Sequence, residues 1–280
     1  DPSVRERRGK SRGFKKMIPY FEFHVIPLGP IPIQVWGLFV AIGIVAAAAL
    51  LARVLKREGM DPRLAWDLAF VAMIGAIVGA RLGHVFFYDW NYYSSHLPEI
   101  VAIWNGGLSS YGGFLGGALA ALVWLCGKGA PLLRVTDATL AALPLGWFIG
   151  RIGCFLIHDH PGTLTNSPFG VQFPDGARFD LGMIDGLIGL LIFAVAFPLH
   201  RTIGKKFPGV TTAVVIQLYA VLRFMADFLR ATDLPNSDPR IYGFTPGQYA
   251  SGVLFLVGDF LIMRAVFAYK KRLSASVPQV

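Results

Sequence analysis

The chain has 280 residues, 54% of them hydrophobic and 15% charged, with a mean hydropathy of +0.54, which excludes an ordinary soluble domain. Its formal charge of +9 sits mainly in short connections between apolar blocks, where Lys and Arg orient a membrane protein, so nucleic acid is not an expected partner. The two cysteines, Cys126 and Cys154, fall near opposite faces of the expected bundle, which excludes a disulfide framework.

Residues 1–16 (DPSVRERRGKSRGFKK) are polar and basic and read as a tag remnant or basic extension. Residues 17–273 read as one transmembrane domain and 274–280 as a C-terminal tail. The first apolar block is too long for a cleavable signal peptide and lacks a small-residue cleavage site, so it is expected to remain as a helix. Seven apolar blocks follow one another at 31–54, 65–91, 112–126, 138–158, 182–200, 211–229 and 247–267. Each is near the roughly 20 residues that cross about 30 Å of hydrocarbon. The expected fold class is therefore all-α: a polytopic integral membrane bundle of about seven transmembrane helices. Block 112–126 is short, and its glycine-rich flank GGLSSYGGFLGG leaves a broken or re-entrant start open there.

Thirteen Lys and Arg fall in the connections around 53–63, 128–134, 201–206 and 264–272, against three, Arg178, Arg230 and Arg240, in the others. The positive-inside rule then puts the start of the first helix outside and the C-terminus in the cytoplasm. The outside connections, 92–111, 159–181 and 230–246, are long and rich in Pro, Gly, Asn and aromatics, so function is expected on that face.

Three arginines remain inside predicted helices: Arg81, Arg151 and Arg223. At membrane depth an arginine costs at least about 2.5 kcal/mol on insertion scales, so each needs a partner or a wet cavity. They lie about nine, seven and seven residues before the outer ends of their helices, roughly 10–14 Å deep. Asp227 and Arg230 follow Arg223 by four and seven residues and share its helix face, and Asp185 begins the fifth helix. One reading is a set of structural ion pairs; the other is an anion site, for which a phospholipid headgroup is the simplest occupant because Arg grips phosphate bidentately. Trp36, near the outer end of the first helix, fits an interfacial anchor equally well.

The residues now become specific. GWFIGRIGCFLIHDHPG at 146–162 resembles the signature of prolipoprotein diacylglyceryl transferases, roughly G-R-I-G-N-F-x-N-G-E-x-x-G. IWNGGLSSYGGFLGG at 103–117 is similar to that family's W-x-G-G-x-x-x-H-G-G segment, GARLGHVFFY at 79–88 to its second-helix motif, and RFMADFLRATD at 223–233 to its R-x-x-x-E-F-x-R segment. RFDLGMID at 178–185 and VWGLFVAIG at 35–43 match two further segments in the right order. The resemblance implies a multi-pass enzyme of the bacterial cytoplasmic (inner) membrane, with its active site in the periplasmic half. It moves a diacylglyceryl group from phosphatidylglycerol to the lipobox cysteine thiol of a preprolipoprotein, yielding a thioether and glycerol phosphate. The implied partners are phosphatidylglycerol, the preprolipoprotein signal peptide and membrane lipids, with no cofactor.

Carried over position by position, Arg151 and Arg223 match family arginines, Asp159, Asp185 and Asp227 stand where the family has glutamates, and Gly162 matches its glycine. Tyr111, with Gly112 and Gly113 after it, replaces the family histidine; Cys154 replaces an asparagine and Trp36 a tyrosine. Candidate catalytic residues are thus Tyr111, Arg151, Arg223, Asp227, Asp159 and His158, and candidate substrate-binding residues are Arg81, Trp36, Cys154, Gly162, Asp185, Arg230, Gly112 and Gly113. A phenol titrating near 10 is a poorer base than an imidazole near 6.5, so His158, Asp159 or His160 can stand in as proton carriers. The H-x-H pair His158/His160 does not by itself place two imidazoles on one ion, so no metal is expected. His84 reads as a packing group. Two rivals stay open: an inactive paralogue that holds phospholipid or signal peptide, and a small-anion transporter, which lacks the support of an inverted repeat.

Overall fold

The computed structural model describes residues 17–235 and 237–276. The expectation for 1–16 lies outside the described residues. Seven helices among the described residues are long and apolar enough to cross a membrane: Val35–Arg57, Arg63–Phe87, Ser110–Gly127, Leu132–Ile157, Leu181–Gly204, Val210–Leu229 and Pro246–Phe267. These match the seven blocks read from the sequence. The helical elements are α1 (Val35–Arg57), α2 (Arg63–Phe87), a single turn α3 (Trp90–Tyr93), α4 (Ser110–Gly127), α5 (Leu132–Ile157), α6 (Leu181–Leu199), α7 (Val210–Ala226) and α8 (Pro246–Ser276). The last carries on through 274–276, which the sequence reading assigned to the tail.

Large apolar side chains stand exposed along the helices, among them Phe70, Val123, Leu191, Val253 and Phe260. An apolar belt of this kind suits hydrocarbon rather than water. Lipid tails are as apolar as leucine, so helix association must rest on close approach rather than on burial from water. The sequence supplies glycines for that purpose. Where α1 crosses α5, a methyl group at Gly43 would lie 2.5 Å from the Gly146 carbonyl oxygen, and one at Gly153 would lie 2.8 Å from Phe39 Cβ. Where α2 crosses α4, Gly75, Gly79 and Gly83 meet Gly112 and Gly116 backbone to backbone. α5 also packs on α6, and α7 on α8.

The glycine-rich block that left a broken start open forms a regular helix instead. Ser109 caps it, its Oγ accepting from Gly112 N–H at 3.3 Å. The glycines that made the start ambiguous are spent on close contact with α2. A buried apolar cluster of Leu51, Val54, Leu55, Leu68, Leu125 and Val135 closes the end of the bundle where the basic connections lie.

The opposite, loop-rich end carries structure absent from the all-helical expectation. An antiparallel hairpin, β1 (Val25–Leu28) and β2 (Ile31–Gln34), runs straight into α1. Between α5 and α6, β3 (Pro161–Leu164), β4 (Val171–Phe173) and β5 (Gly176–Asp180) form a small antiparallel sheet in the order β3-β5-β4. Arg178 on β5 binds it to its surroundings. Its guanidinium donates to Gly162 O at 3.0 Å, to both oxygens of Asp233 at 3.0 and 2.7 Å, and to Asp175 at 2.9 Å.

Candidate active site

Asp185 stands in the first turns of α6, buried, and accepts from two helices at once. Arg223 on α7 donates through Nη1 to its two oxygens at 2.7 and 2.8 Å, and Arg151 on α5 reaches it through Nη2 at 3.1 Å. Arg223 also meets Asp227 one turn on, Nη2 to Oδ1 at 2.9 Å, and Arg230 donates to the same Oδ1 at 2.8 Å. The expected pairing of these three is formed, but not on one continuous α-helix face: α7 ends at Ala226, Asp227–Leu229 make a 3-10 turn and Arg230 is extended. The Thr245 hydroxyl donates to Asp227 Oδ2, and Arg230 pairs with Asp238. Arg151 lies over the Trp147 ring, 4.7 Å from its centroid, and donates towards Cys154 Sγ at 3.6 Å.

Carboxylates hold these guanidiniums in place without covering them fully: side-chain exposures are 18% for Arg151, 12% for Arg223 and 29% for Arg230. An isolated cation there would be expensive; a cation held by a carboxylate and still reachable is a preorganised anion receptor.

The third buried arginine is elsewhere. Arg81, 3% exposed, spends its donors on four backbone carbonyls, those of Glu99, Ile100, Gly106 and Gly107, at 2.6 to 3.1 Å. Its planar face lies over Tyr93, 4.9 Å from the ring centroid. Common depth brought Arg81 under suspicion, but depth says nothing of direction around the bundle, and its guanidinium organises the 99–107 connection. His158 is also set apart. It ends α5 in a left-handed turn at φ 50°, with its side chain sealed among Tyr20, Phe21, Phe155 and Phe173, and its Nδ1 lies 2.6 Å from Asp180 Oδ2. Asp180 is in turn the N-cap of α6, accepting from Met183 N–H at 2.8 Å. His158 thus joins the end of α5 to the start of α6.

Other candidates fall into two groups. Asp159 and His160, Oδ2 to Nε2 3.6 Å, sit at the rim beside Cys154, and burial pushes the His160 imidazole below its usual value. Trp36 on α1 packs against α5 beside Cys154: a methyl at Gly153 would lie 3.2 Å from Trp36 Cα. Tyr111, half exposed in the first turn of α4, turns its hydroxyl towards the start of α8: a methyl at Gly247 would lie 3.5 Å from Tyr111 Oη and against Asp227 Oδ2. The glycines serve packing. Gly112 meets the backbone of Gly79, Gly113 faces Ala80, and a side chain at Gly162 would lie 2.6 Å from Leu229 O.

Thr245 escaped the sequence reading, although Thr245-Pro246-Gly247-Gln248 carries a start signal. Thr245 Oγ1 accepts from Gln248 N–H at 3.1 Å while Gln248 Oε1 accepts from Thr245 N–H at 3.0 Å, a capping box with proline in the first turn.

Residues 24–264 match the family model described as prolipoprotein diacylglyceryl transferase. The chain belongs to the prolipoprotein diacylglyceryl transferase family. Among its relatives is the phosphatidylglycerol–prolipoprotein diacylglyceryl transferase of Nitratidesulfovibrio vulgaris strain Miyazaki F, 33% identical over 249 residues, or 85% of this chain and 92% of that one. The protein of the same description from Solidesulfovibrio magneticus is 33% identical over 258 residues, covering 88% and 95%. That from Janthinobacterium sp. strain Marseille is 31% identical over 262 residues, again 88% and 95%. The similarity spans the α1–α8 bundle, so all the helices that build the Asp185 network lie inside the region shared with the transferases.

Proposed function

We propose that this chain transfers a diacylglyceryl group from phosphatidylglycerol to the thiol of a lipobox cysteine, at the loop-rich end of the bundle, and that this end faces the periplasm across the cytoplasmic membrane. The observation that carries the reading is Asp185 clamped between Arg151 and Arg223, both of them on membrane-spanning helices and both still partly exposed. Phosphatidylglycerol brings an anionic phosphodiester to that depth from the lipid itself. Attack of the thiolate on the glyceryl carbon forms a C–S bond and breaks the C–O bond to phosphate. The bonding electron pair leaves on glycerol phosphate, whose growing charge the fixed guanidiniums neutralise. Arg230 and Asp227 hold Arg223 in register, and Tyr111 reaches from α4 to the same Gly247 that Asp227 meets.

Incubation of the purified protein with phosphatidylglycerol and a lipobox peptide, read by mass spectrometry, tests this. A peptide gaining one diacylglyceryl group, with glycerol phosphate released, is the expected result. If the chain were an inactive paralogue, the adduct would appear only after Tyr111→His; a small-anion carrier would give none in either form. Tyr111→Phe keeps the ring and removes the hydroxyl. A base role for Tyr111 predicts a fall of about 10²-fold or more, and a retained rate sinks that role.

A further inference from the structure

Cys154 lies in the last turns of α5, and the left-handed turn at His158 folds the chain back so that Asp159 and His160 return towards its thiol. One ligand atom from each, thiol sulfur, carboxylate oxygen and imidazole nitrogen, lies within 4.8 Å of the other two, and the Asp159–His160 pair stands at 3.6 Å. Tetrahedral zinc, with bonds of about 2.0–2.3 Å, sets its ligand atoms roughly 3.3–3.8 Å apart, so the pair already has that spacing and Cys154 must draw in by about 1 Å. His158 is no part of the set, since its imidazole is engaged with Asp180.

We propose that Cys154, Asp159 and His160 form a three-ligand site for a zinc-type divalent cation, with the fourth position open to the thiol of the acceptor peptide. The donor set itself selects the metal class. Thiolate and imidazole favour zinc over magnesium or calcium, and three protein ligands with one open position is the pattern of reactive rather than structural zinc. Charge points the same way. Arg151, Arg223 and Arg230 pair with Asp185, Asp227 and Asp238, and Asp159, paired with His160, adds a fourth carboxylate, so three cations stand against four anions before the cysteine is counted. A Cys154 thiolate, to which Arg151 already donates at 3.6 Å, takes the cluster to two negative charges, which one divalent ion neutralises. The position also suits the chemistry. Asp159 and His160 are partly exposed at the loop-rich end, and Cys154 lies against Arg151, so a thiol held there stands next to a guanidinium placed for phosphate. Coordination removes the S–H proton to water and leaves sulfur as the nucleophile, in a chain whose Tyr111 replaces a histidine. This thiol-activating role rests on the transferase reading; the metal site does not.

The test uses the detergent-purified protein, stripped with a chelator and titrated with cobalt(II). One equivalent is expected to raise a thiolate-to-cobalt band in the near ultraviolet together with the visible bands of four-coordinate cobalt. The band should vanish in Cys154→Ala and persist in Cys126→Ala. No band in the parent protein, or one that survives Cys154→Ala, overturns the site. Zinc added back to stripped protein should raise peptide-adduct formation by about 10²-fold, the usual worth of positioned proton removal. Equal adduct with and without zinc overturns the thiol-activating role. A cobalt band without adduct under any condition leaves the site standing and overturns the transferase reading instead.

Discussion

Asp185 accepts from α5 and α7 while standing on α6, so one carboxylate fixes the relative positions of three helices and two cations. That the sequence could bring Arg223 and Arg230 to Asp227 follows from residue spacing alone, and both ion pairs form. The pairing of Arg223 with Asp185 depends on how α6 packs, which periodicity does not contain. The same limit applies to Arg81, whose depth was legible but whose direction was not, and to His158, whose left-handed turn buries a side chain that its neighbours in HDHPG suggest is exposed. Arg178 was legible only as a loop charge. Its partners Asp175 and Asp233 are held below the usual carboxylate range by its guanidinium, which is itself held above its own usual range. Both carboxyls therefore prefer the folded state while ionised. The stability they add is present above the unfolded carboxyl value near 4 and is lost as pH falls through the depressed folded values. Hydrogen exchange across β3–β5 is expected to quicken below about pH 4, and Arg178→Gln should remove that acid step; an unchanged profile in the variant would break the link.

At the scale of the helices, the seven spans were readable because length and apolar content decide them, and the observed bounds agree with the predicted blocks within four residues except at the start of α5, which lies six residues earlier. The short strands were not readable. β3, β4 and β5 have four, three and five residues, too few to show alternation, and they pair through a sheet that Arg178 and Gly162 hold against the 229–233 segment. The glycine-rich start of α4 gave the wrong local signal because glycine weakens an isolated helix yet allows a close helix crossing. A methyl at Gly116 would lie 2.7 Å from Gly79 Cα, whereas one at Gly127 would meet nothing within 4 Å. Gly116→Val is expected to destabilise the protein by about 1–3 kcal/mol, seen as a lower melting temperature in detergent, while Gly127→Ala leaves it unchanged. Equal melting of the two would remove close α2–α4 packing from the account.

For the whole molecule, thirteen Lys and Arg against three imply an orientation in which the loop-rich end is outside. Single cysteines placed at residues 97 and 165 in a cysteine-free background should react with an impermeant thiol reagent in intact cells, and one at Lys205 should not. The reverse pattern would invert the proposed topology. The central claim concerns chemistry at the loop-rich end: guanidiniums held by Asp185 and Asp227 neutralise the phosphate that departs from the lipid. Its most direct test compares diacylglyceryl transfer to a lipobox peptide by Arg223→Ala and Arg264→Ala, each purified and checked for folding by its melting curve. Arg264 is exposed near the far end of α8 and outside the network. The account predicts a fall of about 10²-fold or more for folded Arg223→Ala, the usual cost of removing a preorganised charge donor, and a rate near that of the parent protein for Arg264→Ala. Equal rates from the two folded variants would contradict it.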